Sequence, residues 1–314
     1  MNNYLFLDTM EYFASSDKTT RQFFDSLLLE TRYLDSDLPS TQLEVFGETF
    51  STPIMTAALS HLGSRGRSGA DFLEHKAQNG MIVYAEAAAK SNALHWVGMG
   101  DDQELEDIIA TGAKSIKIIK PHADNAEVFR KIQHAASAGC IAVGMDIDHA
   151  FNAEGGYDNV FGLQMRPKTT AEISEFVKAA GVPFIVKGVL SVQDAVKCAE
   201  AGCAGIVVSH HHNMMPYSVP PLMVLEDILK EVGSGMHVFV DCGIESGMDV
   251  YKCLAMGATA VSVGRHLMPL LRQGSDAVSA RINAMTAELA TVMARTGVRN
   301  LDDMDSTVIH RRMF

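Results

Sequence analysis

A lysine closes the apolar run Phe184-Ile-Val-Lys187, and three histidines follow Gly205-Ile-Val-Val-Ser209. Asp241-Cys-Gly243 ends a run that starts at Val238, and Gly264-Arg265 ends one that starts at Val261. Each polar tip therefore stands at the end of a strand-like segment. A lysine among apolar residues is costly unless a carboxylate faces it or its pKa falls. Lys187 accordingly reads as a working group; the plainer alternative is a structural pair with Asp146 or Asp241. Glycines at 243 and 264 would let backbone N–H groups approach an anion, and Arg265 would add a two-pronged phosphate contact. Simple turn glycines are the competing reading. Successive residues of a strand point to opposite faces, so at most two of His210, His211 and His212 can enter one site, and three in a row do not make a metal cluster. A histidine there suits proton abstraction near neutral pH, whereas a surface run is the bland reading. The combined chemistry is proton transfer beside a phosphorylated cofactor.

A repeated phrase supplies the elements that must position these tips. Ala110-Thr-Gly112, Ala138-Gly139, Ala201-Gly202 and Met256-Gly257 each end an amphipathic segment and lead directly into an apolar run. Glycine just past a helix accepts the left-handed turn, and a strand covered on both faces needs no alternation. Strands are predicted near 53–57, 81–86, 115–119, 141–147, 184–187, 205–209, 237–241 and 258–263. Eight units without a long linker predict an α/β fold, a (β/α)8 TIM barrel, over a doubly wound open sheet, with working residues at the C-terminal strand ends. Residues 1–50 are read as an N-terminal helical extension and 51–314 as the barrel, a single domain closed by a long helix over 276–296. The polar, glycine-containing loop over 148–170 is the lid candidate.

Composition narrows the partners. The net charge of -12 and the absence of clustered Lys/Arg argue against nucleic acid. No apolar stretch reaches the roughly 18 residues of a membrane span. Five cysteines without a C-x-x-C pair, and no signal-peptide pattern, predict a reducing cytoplasm.

The order of these motifs resembles the FMN-dependent α-hydroxy-acid oxidase/dehydrogenase family, over nearly the whole chain. Val186-Lys-Gly188 is similar to its lysine motif on strand five, and the segment from Ala201 to His211 to its histidine motif on strand six. Asp241-Cys-Gly-Ile-Glu245 with Gly264-Arg265 is similar to its phosphate-binding tail, and Tyr12-Phe-Ala-Ser15 to its N-terminal tyrosine motif. The resemblance implies FMN as cofactor and His211 as the proton-abstracting base oriented by Asp148. It implies Lys187 beside the flavin ring, Tyr12 as a ligand of the substrate carboxylate, and Gly243, Gly264 and Arg265 around the phosphate. Further flavin contacts are implied at Ala57, Glu86, Lys117, Asp146 and Asp241. It also implies a homo-oligomer, a tetramer, acting on a small molecule.

Departures from the family pattern matter as much. The family's histidine is followed by Gly-Gly-Arg, where this chain has His212-Asn-Met214. A second arginine of the loop after strand four is replaced at Glu154 or Gly155, a tyrosine on strand three becomes Ile119, and an arginine of the phosphate loop becomes Glu245. Losing two charged contacts to a carboxylate, at roughly 1.5–3 kcal/mol each, predicts a substrate other than an ordinary 2-hydroxy acid. Arg166 or Lys168 would be the replacement clamp. Glu245 and the charges at Glu86, Lys117 and Asp146 leave open a weakened or lost flavin. Two other classes follow from that. One is a flavin-free barrel enzyme, with Schiff-base chemistry on a lysine or a divalent metal on Asp146, Asp148 and His211. The other is a non-catalytic binding protein. The leading reading assigns FMN and no metal.

Overall fold

The computed structural model describes residues 15–62, 79–212 and 214–312. Its apolar runs form eight parallel strands. These are β1 (Ile54–Thr56), β2 (His95–Val97), β3 (Ser115–Ile119), β4 (Ala142–Asp146), β5 (Phe184–Val189), β6 (Gly205–Val208), β7 (His237–Val240) and β8 (Ala260–Val263). Hydrogen-bonded neighbours run β1-β8-β7-β6-β5-β4-β3-β2. The two ends of that order also meet. Thr56 N–H donates to Leu94 O at 3.1 Å, Gly98 N–H donates to Leu59 O at 3.0 Å, and Leu59 bridges Val97 in parallel. The sheet thus curls into the predicted barrel.

The helices that cover it are α1 (Ser16–Ser26), α2 (Gly80–Lys90), α3 (Asp102–Ala110), α4 (Asn125–Ser137), α5 (Thr170–Ala180), α6 (Val192–Glu200), α7 (Pro221–Val232), α8 (Gly247–Ala255) and α9 (Ser275–Arg295). The repeated phrase works as expected: Gly112, Gly139, Gly202 and Gly257 all have positive φ just beyond a helix.

One strand is misplaced by the sequence reading. The run 81–86 is helical and belongs to α2, whose Asn79 cap accepts the Met81 N–H at 2.9 Å; the second strand is His95–Val97. The helix is buried almost all round because it lies between the barrel and α9, so Met81, Val83, Tyr84, Ala85, Ala87 and Ala88 show no polar stripe. An apolar run of this kind is ambiguous by periodicity, and its alanine content favours the helix.

The N-terminal segment is also less helical than expected. After α1, Leu27–Leu29 pairs antiparallel with Ile309–Arg311, and Leu43–Val45 pairs with Glu48–Phe50. Leu43, Val45 and Phe50 join Met55, Trp96, Ile116, Ile118, Ile185 and Phe239 in the cluster that fills the barrel interior. Fully burying each such side chain contributes roughly 1.5–3 kcal/mol. The hairpin seals the N-terminal end, leaving the opposite rim for chemistry.

Alternation decides which side chains reach that rim. Ala142, Ile185, Phe239 and Ala260 belong to the interior packing, so the residues at even steps further on, Asp146, Lys187, Asp241 and Ser262, continue the inward series. Lys117 does not: its neighbours Ile116 and Ile118 are the interior ones.

Candidate active site

Lys187 on β5 and Asp146 on β4 are direct register partners. The Lys187 ammonium lies 3.3 Å from Asp146 Oδ1 and 3.7 Å from Asp241 Oδ2, and Lys120 contacts Asp146 Oδ2 at 2.7 Å. Burial works against the charge of Lys187, but Asp146, Asp241 and Asp148 outweigh it and raise its pKa. Asp146 is held well below the usual carboxylate range: His211, Lys187 and Lys120 overcome its burial.

The chain turns sharply after β6. His211 and His212 both have positive φ, and the Ser209 hydroxyl accepts the His211 N–H at 3.0 Å. The three histidines part company there. His210 Nε2 meets Thr20 Oγ1 of α1 at 2.9 Å, and His212 Nδ1 meets Asp17 at 2.9 Å. His211 Nδ1 lies 2.9 Å and 3.1 Å from the two Asp148 oxygens and 3.2 Å from Asp146 Oδ1. Burial lowers the pKa of His211, yet the charge of Asp146 and hydrogen bonds to both aspartates raise it to about 9. Asp148 is raised by burial and by the charge of Asp146.

Gly188 makes the Asp148 position available. Its φ is +90°, and a Cβ there would stand 2.4 Å from Asp148 Oδ2. The glycine after the lysine serves the aspartate behind the histidine.

A cavity of about 800 Å³ opens beside this cluster. Lys187, His211 and Asp241 stand on its wall, as do Gly243, Gly264 and Arg265 at the ends of β7 and β8 and Ala57 after β1. Leu267 N–H and Met268 N–H both return to Gly264 O, at 2.8 Å and 3.2 Å, so the amides of Arg265 and His266 open a turn without a backbone acceptor among the described residues. Helix α1 supplies the remaining charges: Asp17 binds Arg265 at 2.7 Å, and Arg21 binds Asp249 at 2.9 Å. The space, the buried ammonium and the glycine-arginine tips fit a flavin mononucleotide, which Lys187, Gly243, Gly264 and Arg265 would hold.

The family model for FMN-dependent dehydrogenases matches residues 3–174 and 152–311. The chain belongs to this family. It is 27% identical over 319 residues to a peroxisomal (S)-2-hydroxyacid oxidase of Arabidopsis thaliana, covering 90% of this chain and 85% of that one. It is 26% identical to 4-hydroxymandelate oxidase of Amycolatopsis orientalis, covering 83% and 80%. A solved mandelate oxidase variant carrying a monooxide FMN adduct superposes with a TM-score of 0.82 at 26% identity, over 98% of this chain and 95% of that one. The protein is an FMN-dependent oxidoreductase of the hydroxy-acid oxidase/dehydrogenase type. Among the described residues, no helix is long and apolar enough to cross a membrane.

Within this family frame, the structure brings together Lys187, Asp146, Asp148, Asp241 and His211, and lines the cavity with Ala57, Gly243, Gly264 and Arg265. Two expected flavin contacts lie elsewhere. Glu86 sits on α2, where its carboxylate accepts from the Ser275 hydroxyl at 3.0 Å. Lys117 faces outward from β3, and its ammonium donates to Gly98 O at 2.5 Å. Arg166 and Lys168 are not free to clamp a substrate: Arg166 pairs with Glu172 at 2.5 Å, and Lys168 donates to Asn125 at 2.7 Å. Tyr12 lies outside the described residues.

The sequence reading missed His149, Lys120, Asp17 and Arg21. His149 had a legible signal, since Asp146-Ile-Asp-His149 places three ligating side chains just past a strand end. Asp17 and Arg21 had only their four-residue helical spacing.

Proposed function

We propose that this oxidoreductase acts on a small hydroxylated substrate that presents no carboxylate to the rim. The observation that carries this reading is the state of the cavity's cations. Among the described residues, each lysine and arginine on its wall is already held by a carboxylate of the protein: Lys187 by Asp146 and Asp241, Arg21 by Asp249, and Arg265 by Asp17. A substrate carboxylate entering there would meet Asp17, Asp241 and Glu245 without an unpaired guanidinium, and like charges at close range repel.

Lys187, Arg265 and the glycine tips at 243 and 264 would hold the flavin, which when bound accepts a hydride equivalent from the substrate carbon. His211 exchanges the substrate hydroxyl proton through Nε2 while its Nδ1 stays on Asp148. Asp148 is a positioning residue: it fixes the ring and sets which nitrogen carries the proton. Lys187 places a fixed positive charge on the cavity wall and is itself anchored by Asp146. The homotetramer that the family resemblance implies and the cytoplasmic location that the cysteine pattern predicts belong to the same reading.

The test is anaerobic reduction of the FMN-loaded protein by a 2-hydroxy acid and by its amide, for parent and His211→Gln. The amide should bleach the parent's flavin absorbance at least as well as the acid, and the variant should keep its flavin but bleach at least about 100-fold more slowly. Equal bleaching in parent and variant would remove His211 from the mechanism.

A further inference from the structure

Two imidazoles meet beside Lys187, whose ammonium lies 3.1 Å from His211 Nδ1. His211 Nδ1 is 2.9 Å from Asp148 Oδ1, and His149 Nδ1 is 3.4 Å from Asp158 Oδ2. Each ring therefore turns its Nε2 toward the other, and these atoms are 3.1 Å apart. A neutral imidazole has one N–H. With both Nδ1 atoms on carboxylates, one proton bridges the two Nε2 atoms, and a metal ion bound by both rings would take the place of that proton. The rings cross at 81° with centroids 4.4 Å apart.

Asp146 and Asp148 reach the same place. One ligating atom from each of Asp146, Asp148, His149 and His211 lies within 4.8 Å of all the others. The side chains are sheltered, from 4% exposed at Asp146 to 26% at His211. The charges around them also leave room for a dication. Four carboxylates (Asp146, Asp148, Asp158 and Asp241) face two ammonium groups (Lys120 and Lys187). Once a metal displaces the proton of His211, two negative charges remain for it to compensate. Two imidazoles and two carboxylates suit zinc, cobalt, iron(II) or manganese, whereas magnesium and calcium prefer all-oxygen shells.

We propose that Asp146, Asp148, His149 and His211 form a binding site for a divalent transition-metal ion, and that an ion bound there withdraws the His211 Nε2 lone pair from proton transfer. Asp158 then acts from behind His149, as a carboxylate orients a metal-binding imidazole. Of the four ligands only His211 stands on the wall of the flavin cavity, so metal and flavin have separate places. The proposal goes beyond the oxidoreductase reading and does not require bound flavin.

The experiment is a titration of chelator-treated, FMN-loaded protein with Co2+, followed by the cobalt ligand-field absorption as a difference spectrum, with Zn2+ as the displacing ion. One equivalent of Co2+ per chain should bind and be displaced by one equivalent of Zn2+. The flavin spectrum should remain, and substrate-driven bleaching should slow at least about tenfold and recover on adding chelator. His149→Ala should lose more Co2+ affinity than the roughly 10–100-fold that removal of a supporting hydrogen bond causes. His149→Gln, closer in size, serves if the alanine variant loses its near-UV circular dichroism. No stoichiometric Co2+ binding by the parent, or unchanged binding by a folded His149 variant, overturns the proposal. Flavin binding without cobalt binding leaves the oxidoreductase reading intact, and cobalt binding without flavin overturns that reading instead.

Discussion

Lys187 and Asp146 sit opposite each other on adjacent parallel strands, with Nζ and Oδ1 3.3 Å apart and both side chains almost wholly buried. Asp146 also holds Lys120 at 2.7 Å. Removing one partner of a buried pair leaves an uncompensated charge, which typically costs about 3–5 kcal/mol. Asp146→Ala should therefore lower the urea-unfolding free energy of the flavin-free protein by about that amount. A loss under about 1 kcal/mol would contradict the pairing.

Gly188 is predicted to be the most sensitive small residue at the rim. A methyl group there collides with the Asp148 carboxylate, and the positive φ is unfavourable for alanine. Gly188→Ala should lose on the order of 2–4 kcal/mol of stability and slow substrate-driven bleaching at least tenfold through displacement of Asp148. Asp148→Asn, which keeps the shape, should slow bleaching with a much smaller loss of stability. Comparing unfolding midpoints and bleaching rates of the two variants separates the effects.

Lys117 should be a cost to the fold rather than a flavin ligand. Burial, helped by the charge of Lys131, lowers its pKa to about 8, against about 10.4 in an unfolded chain. Below pH 8 both states are protonated and the full penalty applies; between pH 8 and 10.4 the unfolded chain binds more protons, so stability rises with pH. Lys117→Met should stabilise the protein at pH 7 by about 1–2 kcal/mol, allowing for the lost bond to Gly98 O, and should flatten that rise. Urea unfolding of parent and variant at pH 7 and pH 10 measures both, and FMN affinity should stay within about twofold.

Asp17 competes with an incoming phosphate for Arg265. Arg265 and His212 together hold Asp17 below the usual carboxylate range despite its partial burial, so it is ionised at neutral pH. Asp17→Asn should tighten FMN binding by about three- to tenfold, and Arg265→Ala should weaken it by about ten- to a hundredfold. Fluorescence quenching of FMN on binding reads both; a variant pair with no change would place the phosphate away from Arg265.

Much of this arrangement was legible in the sequence because the barrel repeats a single physical device. A glycine with positive φ lies just past each of α3 to α8, an apolar strand follows, and a polar residue terminates it; Lys187, Asp146 and Asp241 emerge from that pattern. The strand over 81–86 failed because α2 is buried on nearly all sides and so lacks the polar stripe that marks most helices. Glu86 went with it. Lys117 failed for a different reason: two steps of alternation place Ile116 and Ile118 inside, and a lysine buried under the helix layer has no signature that distinguishes it from one at the rim. The pairings of Asp17 with Arg265 and of His149 with His211 join segments 248 and 62 residues apart. Only the closed barrel brings them together, and local sequence carries no record of that.

The most direct test of the account is the concentration dependence of anaerobic flavin bleaching by a 2-hydroxy acid and by its amide, measured on metal-free, FMN-loaded protein. Rim cations already neutralised by Asp17, Asp146, Asp241 and Asp249 predict that the amide saturates at a concentration no higher than the acid and bleaches at a comparable or faster rate. An acid that binds about 100-fold more tightly than its amide, equivalent to roughly 2.7 kcal/mol, would show that a cation is available to the carboxylate and would contradict the account.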